Sequence, residues 1–290
     1  MSNKRYACIG LSNPKSPSNV GSIMRAAGCY GVASVFYTGT RYDRAKDFVT
    51  DTKKVHQDIP LINIDDQAQS QAVLRLQRLF GNGGSRHLDL ACGTGPHVRH
   101  FLDAGFQSSG LDLNPPMLAQ AALRCPEAEF SCQDMCSFTL EQPVDLITCF
   151  LYSLHYSGSL ARLQACLARV QAALTPGGLF CFNAVDKRRI DNASSVGHSV
   201  ARADGHFSFA SAWNYPGEGE HQQLRLRIER RHAGQQQTWQ DEHPMVAVDF
   251  PELLALLEPQ FDVQMLEHDY QRIEPWAGEA GNALFVCVKR

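Results

Sequence analysis

The sequence lacks a long apolar run, since no stretch reaches the roughly 18 residues that a membrane-spanning helix needs. Its first residues, Met-Ser-Asn-Lys-Arg-Tyr-Ala-Cys, lead into a short strand-like run and not into the long apolar stretch of a secretion signal. These two absences favour a cytoplasmic protein without a membrane span.

Paired metal-ligand motifs are also missing. The sequence has ten cysteines but no Cys-x-x-Cys pair. Cys132 and Cys136 are the closest two, with no second pair or histidine cluster at zinc spacing. Cys149, Cys181 and Cys287 lie in apolar, strand-like runs, where a free thiol packs as a small hydrophobe. We therefore expect no metal site, and structural thiols in a reduced compartment.

The sequence also lacks an excess of positive charge. The chain has 27 Lys and Arg against 30 Asp and Glu, a formal net charge of −3. This balance argues against a protein that binds nucleic acid through an overall basic surface. A local basic stretch, with Arg225, Arg227, Arg230, Arg231 and His232, leaves RNA binding open.

What the sequence does contain begins with a short α/β segment. Residues 1–66 read as strand, helix, strand and a further strand, with strands at 7–11, 34–37 and 61–64. A helix is predicted over 20–30, where Gly31 is suited to end it. A half sheet of this size cannot bury both of its faces alone.

From residue 86 onward, strands alternate with helices. Strands are predicted at 87–91, 109–112, 129–132, 144–151 and 179–184, and helices at 98–104, 116–125 and 160–174. Such alternation is typical of a doubly wound, mostly parallel sheet. Residues 207–245 then alternate like antiparallel strands, and a helix at 249–257 and closing strands at 261–267 and 283–289 follow.

The strongest motif is His-Leu-Asp-Leu-Ala-Cys-Gly-Thr-Gly at residues 87–95. Gly93 and Gly95 allow a close approach of the backbone to a ligand, which a Cβ would block. Asp112 ends the next strand, where a carboxylate can accept both hydroxyls of a ribose. Asp134 follows the third strand, at a position where it or the neighbouring backbone can meet an adenine amino group. Residues 174–179, Leu-Thr-Pro-Gly-Gly-Leu, are predicted to form a turn.

This arrangement resembles the class I S-adenosylmethionine (SAM) dependent methyltransferases, over about residues 67–290. The alternative is an NAD-type Rossmann domain, but the third glycine of its fingerprint is replaced by Val98. Ala91 stands where many members of the methyltransferase class have glycine. The resemblance implies SAM as cofactor, and a cofactor site made of Asp89, Ala91, Gly93, Gly95, Asp112, Leu113, Asp134, Met135 and Phe150.

The implied fold class is α/β. It comprises a doubly wound Rossmann-like methyltransferase sheet with an antiparallel β lid insertion at about 207–245, and a small N-terminal α/β half-domain. The lid carries Trp213, Tyr215 and Trp239, and it is similar to lids that enclose small-molecule acceptors in this class.

A narrower resemblance concerns residues 13–27, which are similar to the first motif of the SpoU/TrmH-type RNA ribose methyltransferases of the SPOUT class. That resemblance maps a catalytic asparagine and arginine onto Asn19 and Arg25, with Gly21 between them. The later motifs, which form the SAM-binding knot of that class, are absent from the sequence. Residues 1–66 are therefore interpreted as a truncated segment that serves docking or homodimer formation.

Candidates for the transfer step follow the fourth strand of the large sheet. His155 is a candidate base near neutral pH, with Tyr156 beside it, and the alternative is that both only pack or line the pocket. No Asn/Asp-Pro-Pro-Tyr/Phe run of base N-methylation follows this strand, and no cysteine pair of the type used in C5 methylation of pyrimidines is evident.

Three functions remain. The first is methyl transfer to oxygen or nitrogen of a small molecule, with no metal. The second is methylation of tRNA or rRNA. The third is SAM binding without activity.

Overall fold

The computed structural model describes residues 8–11, 34–37, 61–63, 66–202 and 205–290. Internal contacts divide the chain into two compact units. One comprises Met1–Gln67, Ser195–Ala212 and Arg225–Asp241, and the other comprises Ala68–Ser194, Trp213–Leu224 and Glu242–Arg290. The domain boundary near residue 66 stays a prediction.

The first unit contains a small parallel sheet. Strands β1 (Cys8–Leu11), β2 (Ser34–Tyr37) and β3 (Leu61–Asn63) pair in the order β1-β2-β3. The three strands predicted in this region are thus confirmed. The predicted helix at 20–30, and with it Asn19, Gly21 and Arg25, lies outside the described residues.

The second unit is organised by a seven-stranded sheet in the order β13-β14-β8-β7-β4-β5-β6. Five strands run parallel, as predicted from their alternation with helices. Strand β14 is antiparallel to β8 and β13 is antiparallel to β14, so β13 runs in the same direction as β8. The strands are β4 (Arg86–Leu90), β5 (Gln107–Asp112), β6 (Phe130–Cys132), β7 (Val144–Cys149), β8 (Leu174–Val185), β13 (Phe261–Glu267) and β14 (Asn282–Lys289).

Five described α-helices accompany this sheet: α1 (Asp66–Phe80), α2 (Pro96–Asp103), α3 (Pro115–Arg124), α4 (Leu160–Ala173) and α5 (Phe250–Leu257). Side-chain caps fix several of their starts. Asn114 accepts from the Met117 amide at the start of α3, and Ser159 accepts from the Arg162 amide at the start of α4. Asp249 forms a capping box with Glu252 at α5.

The core is built from the apolar runs of the central strands. All six residues of β7 are buried, which explains their nearly continuous apolar character. Phe180 and Phe182 of β8 stack on each other at 4.7 Å between ring centroids, and Phe182 stacks on Phe285 of β14 at 4.9 Å. These rings join the parallel strands to the antiparallel edge.

A separate four-stranded sheet has the order β12-β11-β10-β9. Its strands are β9 (Val196–Arg202), β10 (Gly205–Asn214), β11 (His221–His232) and β12 (Gln235–Val246). The last three confirm the predicted antiparallel insertion. Strand β9 was not predicted, because its Gly, Ser and His residues have little strand preference; it is ordered by pairing with β10.

Two predicted boundaries were wrong. Residues 174–179 form the irregular start of strand β8, where pairing shifts between Val144–Leu174 and Leu146–Leu179. The predicted glycine turn is therefore a bulge within the strand, where Gly177 has φ 70°. Helix α1 begins at Asp66, whereas the sequence pattern predicts a polar junction at 65–71 and an amphipathic segment only at 72–80. Its polar Gln69 and Ser70 are buried, so tertiary contacts stabilise this first part of the helix.

Candidate active site

The carboxyl ends of six strands lie at one edge of the seven-stranded sheet, because β4, β5, β6, β7, β8 and β13 run in the same direction. From β4 the chain passes to β5 and β6 on one side, and later to β7 and β8 on the other. Ligands of open α/β sheets bind at this reversal. We call the ends of β4, β5 and β6 the β5 side of the edge, and the ends of β7, β8 and β13 the β8 side.

On the β5 side, the loop after β4 adopts left-handed backbone conformations. Ala91 has φ 53°, Gly93 φ 54° and Gly95 φ 74°. Glycine reaches this region without strain, whereas a Cβ costs about 1–2 kcal/mol. The conformation gives a physical reason for the glycine that many class I methyltransferases have at the position of Ala91. Gly95 is followed directly by helix α2.

Asp112 is bound to this loop. Its Oδ2 accepts the Gly93 amide at 2.9 Å, and its Oδ1 accepts the Asn114 amide at 2.8 Å. A carboxylate offers about four lone-pair positions, so each oxygen keeps the capacity for one further donor. The half-exposed carboxylate is thus oriented to receive two neighbouring hydroxyls, as a ribose presents. Leu113 beside it is exposed.

Gly110 of β5 is a site residue that the sequence reasoning missed. A Cβ at this position would lie 2.7 Å from the Cys92 Sγ and 3.1 Å from the ring of Phe130. Only glycine therefore allows the loop after β4 to sit against β5, where the Cys92 amide donates to the Leu111 carbonyl at 2.9 Å. A glycine inside a predicted strand was the available signal.

Asp134 lies after β6, as predicted, and its side chain is already engaged. Oδ1 accepts the Cys136 amide at 2.8 Å, and Oδ2 accepts Arg162 at 2.6 Å. The backbone hydrogen bond and the Arg162 guanidinium hold the pKa of this carboxyl below its usual range. Met135 is buried beside it.

Asp89 lies within the sheet, under the loop, and is 1% exposed. Its Oδ1 accepts the Thr148 hydroxyl at 2.6 Å, and its Oδ2 lies 3.4 Å from Nδ1 of His97 on helix α2. Asp89 therefore supports the loop and the start of α2 from inside the protein, and its predicted direct contact with the cofactor stays a prediction.

A buried polar chain continues from Asp89 in a way that the sequence did not reveal. Thr148 also contacts His87 Nε2 at 2.8 Å, and His87 Nδ1 contacts the Ser108 hydroxyl at 2.7 Å. Because Thr148 donates to Asp89, it accepts from Nε2 of His87, which fixes the tautomer. Burial lowers the pKa of His87 to about 3, so this ring is neutral.

On the β8 side, the chain turns sharply after β7. Leu151 and Tyr152 have φ 55° and 61°, again in the left-handed region. Such strain in residues other than glycine is often found at functional sites. Phe150 is buried, with its ring 5.4 Å from His97 and 6.1 Å from Tyr270. Phe150 thus lies between helix α2, which follows the loop after β4, and the β8 side.

His155 lies in the short 3₁₀ helix that follows and is 2% exposed. Its Nε2 accepts the Val185 amide at 3.1 Å, so Nδ1 carries the proton and donates to the Val246 carbonyl at 3.0 Å. Burial lowers its pKa to about 4. Both nitrogens serve backbone groups, which favours the packing alternative over the predicted base. Tyr156 is exposed, and its hydroxyl contacts His243 Nδ1 at 2.5 Å.

Four neutral polar residues meet at the β8 side. The sequence analysis identified only the segment after β7, which contains one of them, Tyr152. They are Tyr152, Asn183 of β8, and His268 and Tyr270 just after β13. Asn183 Oδ1 accepts the Tyr152 amide at 3.1 Å, and its Nδ2 lies 3.2 Å from His268 Nε2. The Tyr152 ring stacks on His268 at 5.9 Å and meets Trp213 edge-on at 5.4 Å.

Metal-ligand groups and membrane-spanning helices are absent from the described part of the chain. Among residues 66–202 and 205–290, no group of three or more His, Cys, Asp or Glu side chains has the arrangement of a metal site. The eight cysteines from Cys92 to Cys287 are free, and all but Cys132 are buried. None of the described helices is long and apolar enough to cross a membrane.

Comparison with known proteins gives a family match to the segment that holds the β5 side. Residues 88–178 match the family described as "Methyltransferase domain". The dTDP-3-amino-3,6-dideoxy-alpha-D-glucopyranose N,N-dimethyltransferase of Streptomyces fradiae is 39% identical over 92 residues, covering 32% of this chain and 36% of the relative. The dTDP-4-amino-2,3,4,6-tetradeoxy-D-glucose N,N-dimethyltransferase of Saccharopolyspora spinosa is 31% identical over 115 residues, covering 40% and 46%. The chain thus spans less than half of the length of these relatives.

Solved structures match over more of the chain. SAM-bound CalS10, an amino pentose methyltransferase from Micromonospora echinaspora, has a TM-score of 0.65 at 23% identity, covering 78% of this chain and 91% of that one. The sugar N-methyltransferase KedS8 from Streptoalloteichus sp. has a TM-score of 0.66 at 21% identity, covering 87% and 94%. Residues 88–178 are therefore similar to the methyltransferase-domain family, and the chain shares the α/β fold of these two solved methyltransferases.

Proposed function

We propose that this protein is a SAM-dependent methyltransferase that acts on a small molecule. The observation that carries the proposal is the Asp112 carboxylate, which two backbone amides hold beside the left-handed loop after β4. SAM, when bound, supplies a methyl group on a sulfonium. Asp112 would hold its ribose hydroxyls, Gly93 and Gly95 would give backbone access, and Asp134 with Met135 would flank the adenine.

The proposed acceptor is the nitrogen of an amino sugar carried on a nucleotide. Two findings support this choice over oxygen: the names of the relatives, which are N,N-dimethyltransferases of such sugars, and the neutral groups of the β8 side. None of these four groups, Tyr152, Asn183, His268 and Tyr270, carries a negative charge. They therefore would not hold the amine in its protonated, unreactive form. Transfer then depends mainly on alignment of the amine with the methyl group.

The proposed cofactor site is tested by calorimetry with SAM. Asp112→Ala should weaken SAM binding by about 10–100-fold, because a hydrogen bond to a charged group contributes roughly 1.5–3 kcal/mol. Asp262→Ala is the matched control, since this exposed carboxylate on β13 pairs with Arg290. Unchanged affinity in Asp112→Ala would remove the residue that carries the proposal.

The acceptor is tested with methyl-labelled SAM and three substrates: dTDP-3-amino-3,6-dideoxyglucose, the corresponding 3-hydroxy sugar, and total cellular RNA. We expect label in the amino sugar, with a mass gain of one or two methyl groups. Label in RNA that falls steeply with salt would favour the RNA alternative. SAM binding without transfer to any of the three would favour the binding module.

The remaining sequence-based proposals concern residues 1–66 and the lid. We keep the proposal that the N-terminal segment serves docking or homodimer formation in a cytoplasmic protein, and that the insertion at 207–245 closes over the acceptor. A truncated chain that begins at residue 67 should bind SAM within a few-fold of the full chain. If affinity disappears while circular dichroism shows a folded protein, the N-terminal segment contributes to the site.

A further inference from the structure

The hydrogen bonds around His268 determine which of its ring nitrogens carries the proton. The Tyr152 backbone amide is only a donor, so the Asn183 atom that faces it at 3.1 Å must be the amide oxygen. The other end of that side chain, Nδ2, is therefore a donor, and it lies 3.2 Å from His268 Nε2. His268 Nε2 must then accept, which places the ring proton on Nδ1.

A second donor reaches the same nitrogen. The Tyr270 hydroxyl lies 2.8 Å from His268 Nε2 and 3.3 Å from Gln69 Nε2, which donates to it. Since Tyr270 receives the Gln69 proton, its own hydroxyl proton is directed to His268. Gln69 Oε1 in turn lies 3.1 Å from His97 Nε2. Asn183 Nδ2 and the Tyr270 hydroxyl are thus two donors that face His268 Nε2.

The segment that carries His268 is supported from helix α1. The Arg75 guanidinium donates to the Tyr270 carbonyl at 2.5 Å and to the Gln271 carbonyl at 2.8 Å. The Tyr152 ring covers one face of the imidazole, and Tyr270 meets it at 63°. The ring is therefore held by packing as well as by hydrogen bonds. Among the described residues, no hydrogen-bond partner contacts its Nδ1–H.

We propose that His268 is a specificity-determining hydrogen-bond donor, which orients the methyl acceptor through Nδ1–H while Asn183 and Tyr270 hold the ring in that tautomer. His268 directly follows β13, at the ligand-binding edge. The Tyr152 ring lies beside it, and the Trp213 ring meets Tyr152 edge-on. Aromatic side chains with a few fixed polar groups are typical of the lining of small-molecule sites. The oxygen of an uncharged ring hydroxyl on the acceptor fits such a donor. The orienting role rests on the proposed function, because that function supplies the acceptor. The tautomer of His268 is independent of it.

The tautomer is measured on the full chain without ligand. Long-range ¹H–¹⁵N spectra of protein labelled with ¹⁵N-histidine distinguish Nδ1–H from Nε2–H, and His268→Asn assigns the signals. We expect Nδ1–H in the wild type. We expect a mixture in Tyr270→Phe, which keeps the ring and removes one donor, and a larger change in Asn183→Ala. A wild-type ring with the proton on Nε2 would overturn the inference, whatever the activity.

The orienting role is measured by kcat/KM for methyl transfer to dTDP-3-amino-3,6-dideoxyglucose. Asparagine can place a donor where Nδ1 stands, and glutamine reaches the position of Nε2. His268→Ala should lower kcat/KM about tenfold, the loss of one hydrogen bond with its partner left unsatisfied. His268→Asn should recover most of it, and His268→Gln should not. The exposed Gln264→Ala on β13 is the matched control.

Two results would contradict this role. Full activity in His268→Gln with loss in His268→Asn would mean that only the contacts of Nε2 matter. An acidic limb of the pH profile that disappears in His268→Asn would identify a base instead of a donor. SAM affinity should be unchanged in all three variants. A wild-type protein that binds SAM but transfers no methyl group would refute the proposed function and the orienting role, and the spectra would still decide the tautomer.

Discussion

The two sides of the ligand-binding edge differ in both chemistry and origin. The β5 side is made of carboxylates and left-handed backbone, from a single stretch between Asp89 and Asp134. The β8 side is made of neutral rings and one amide, and its members stand far apart in the chain, from Tyr152 to Tyr270. One side is therefore local and charged, and the other is assembled by tertiary structure and neutral.

This difference suggests how a shared fold can keep one ligand and change another. A ribose and an adenine are constant, so a short motif suffices to bind them. An acceptor varies between relatives, and a site assembled from several strand ends can change residue by residue while the loop after β4 stays intact.

The largest expected effect is on stability and concerns the buried carboxylate of the β5 side. Asp89→Ala should lower the free energy of unfolding by about 3 kcal/mol, because the Thr148 hydroxyl and His97 lose a buried charged partner. Urea unfolding measures this loss. The exposed Asp103→Ala on α2 should change stability by less than about 0.5 kcal/mol. A cost below 1 kcal/mol for Asp89→Ala would mean that charge is not what supports this side.

The second prediction uses pH, because the protein holds two buried neutral histidines, His155 after β7 and His87 within β4. The folded pKa of His155 is about 4 against an ordinary value of 6.5. Below pH 6.5 the His155 side chain binds a proton in the unfolded chain but not in the folded chain. Stability is therefore full above this pH and falls as the pH drops toward 4, by about 3 kcal/mol in all. Urea unfolding at several pH values measures the slope.

His155→Gln should flatten that slope. His87→Gln within β4 should do the same, since the pKa of His87 is lowered to about 3 by burial. Equal slopes in the variants and the wild type would show that these rings do not control acid stability. If only one of the two variants changed the slope, the other histidine would not contribute to the loss of stability at low pH.

The third prediction separates the two sides by ligand. Asp112→Ala should raise the Kd for SAM by about 10–100-fold. Asn183→Ala should leave it within about twofold, because the hydrogen bonds of Asn183 go to Tyr152 and His268 on the β8 side. Calorimetry on both variants gives the comparison directly. If Asn183→Ala weakened SAM binding as much as Asp112→Ala, the β8 side would belong to the cofactor site.

The smallest effect concerns backbone strain, which both sides share. Ala91→Gly and Leu151→Gly each remove a Cβ at a left-handed position, with φ 53° and 55°. Each should stabilise the protein by up to about 1 kcal/mol, visible as a small rise in the melting temperature. Ala165→Gly on the exposed face of α4 is the control, and it should cost about 1 kcal/mol. A loss of stability at Ala91 would mean that its methyl group packs usefully.

Much of the β5 side was predictable from the sequence. Gly93, Gly95 and Asp112 were identified because turn residues and a strand-ending carboxylate have fixed local meanings. Gly110 was missed, since its requirement comes from Cys92 in the loop that follows β4. His155 was a reasonable candidate by its position after β7, but its environment could not be predicted, because its partners Val185 and Val246 are distant in sequence.

The sequence by itself determined the alternation of strands and helices, the glycine loop and the carboxylate positions, because hydrophobic period and turn chemistry act over a few residues. Only the tertiary structure decided the strand order, the bulge at the start of β8, the pairing of β9 and the group formed by Tyr152, Asn183, His268 and Tyr270. The physical reason is that a hydrogen bond or a desolvated ring depends on which atoms the fold brings within about 3 Å, and residues 100 positions apart have no local pattern that records it.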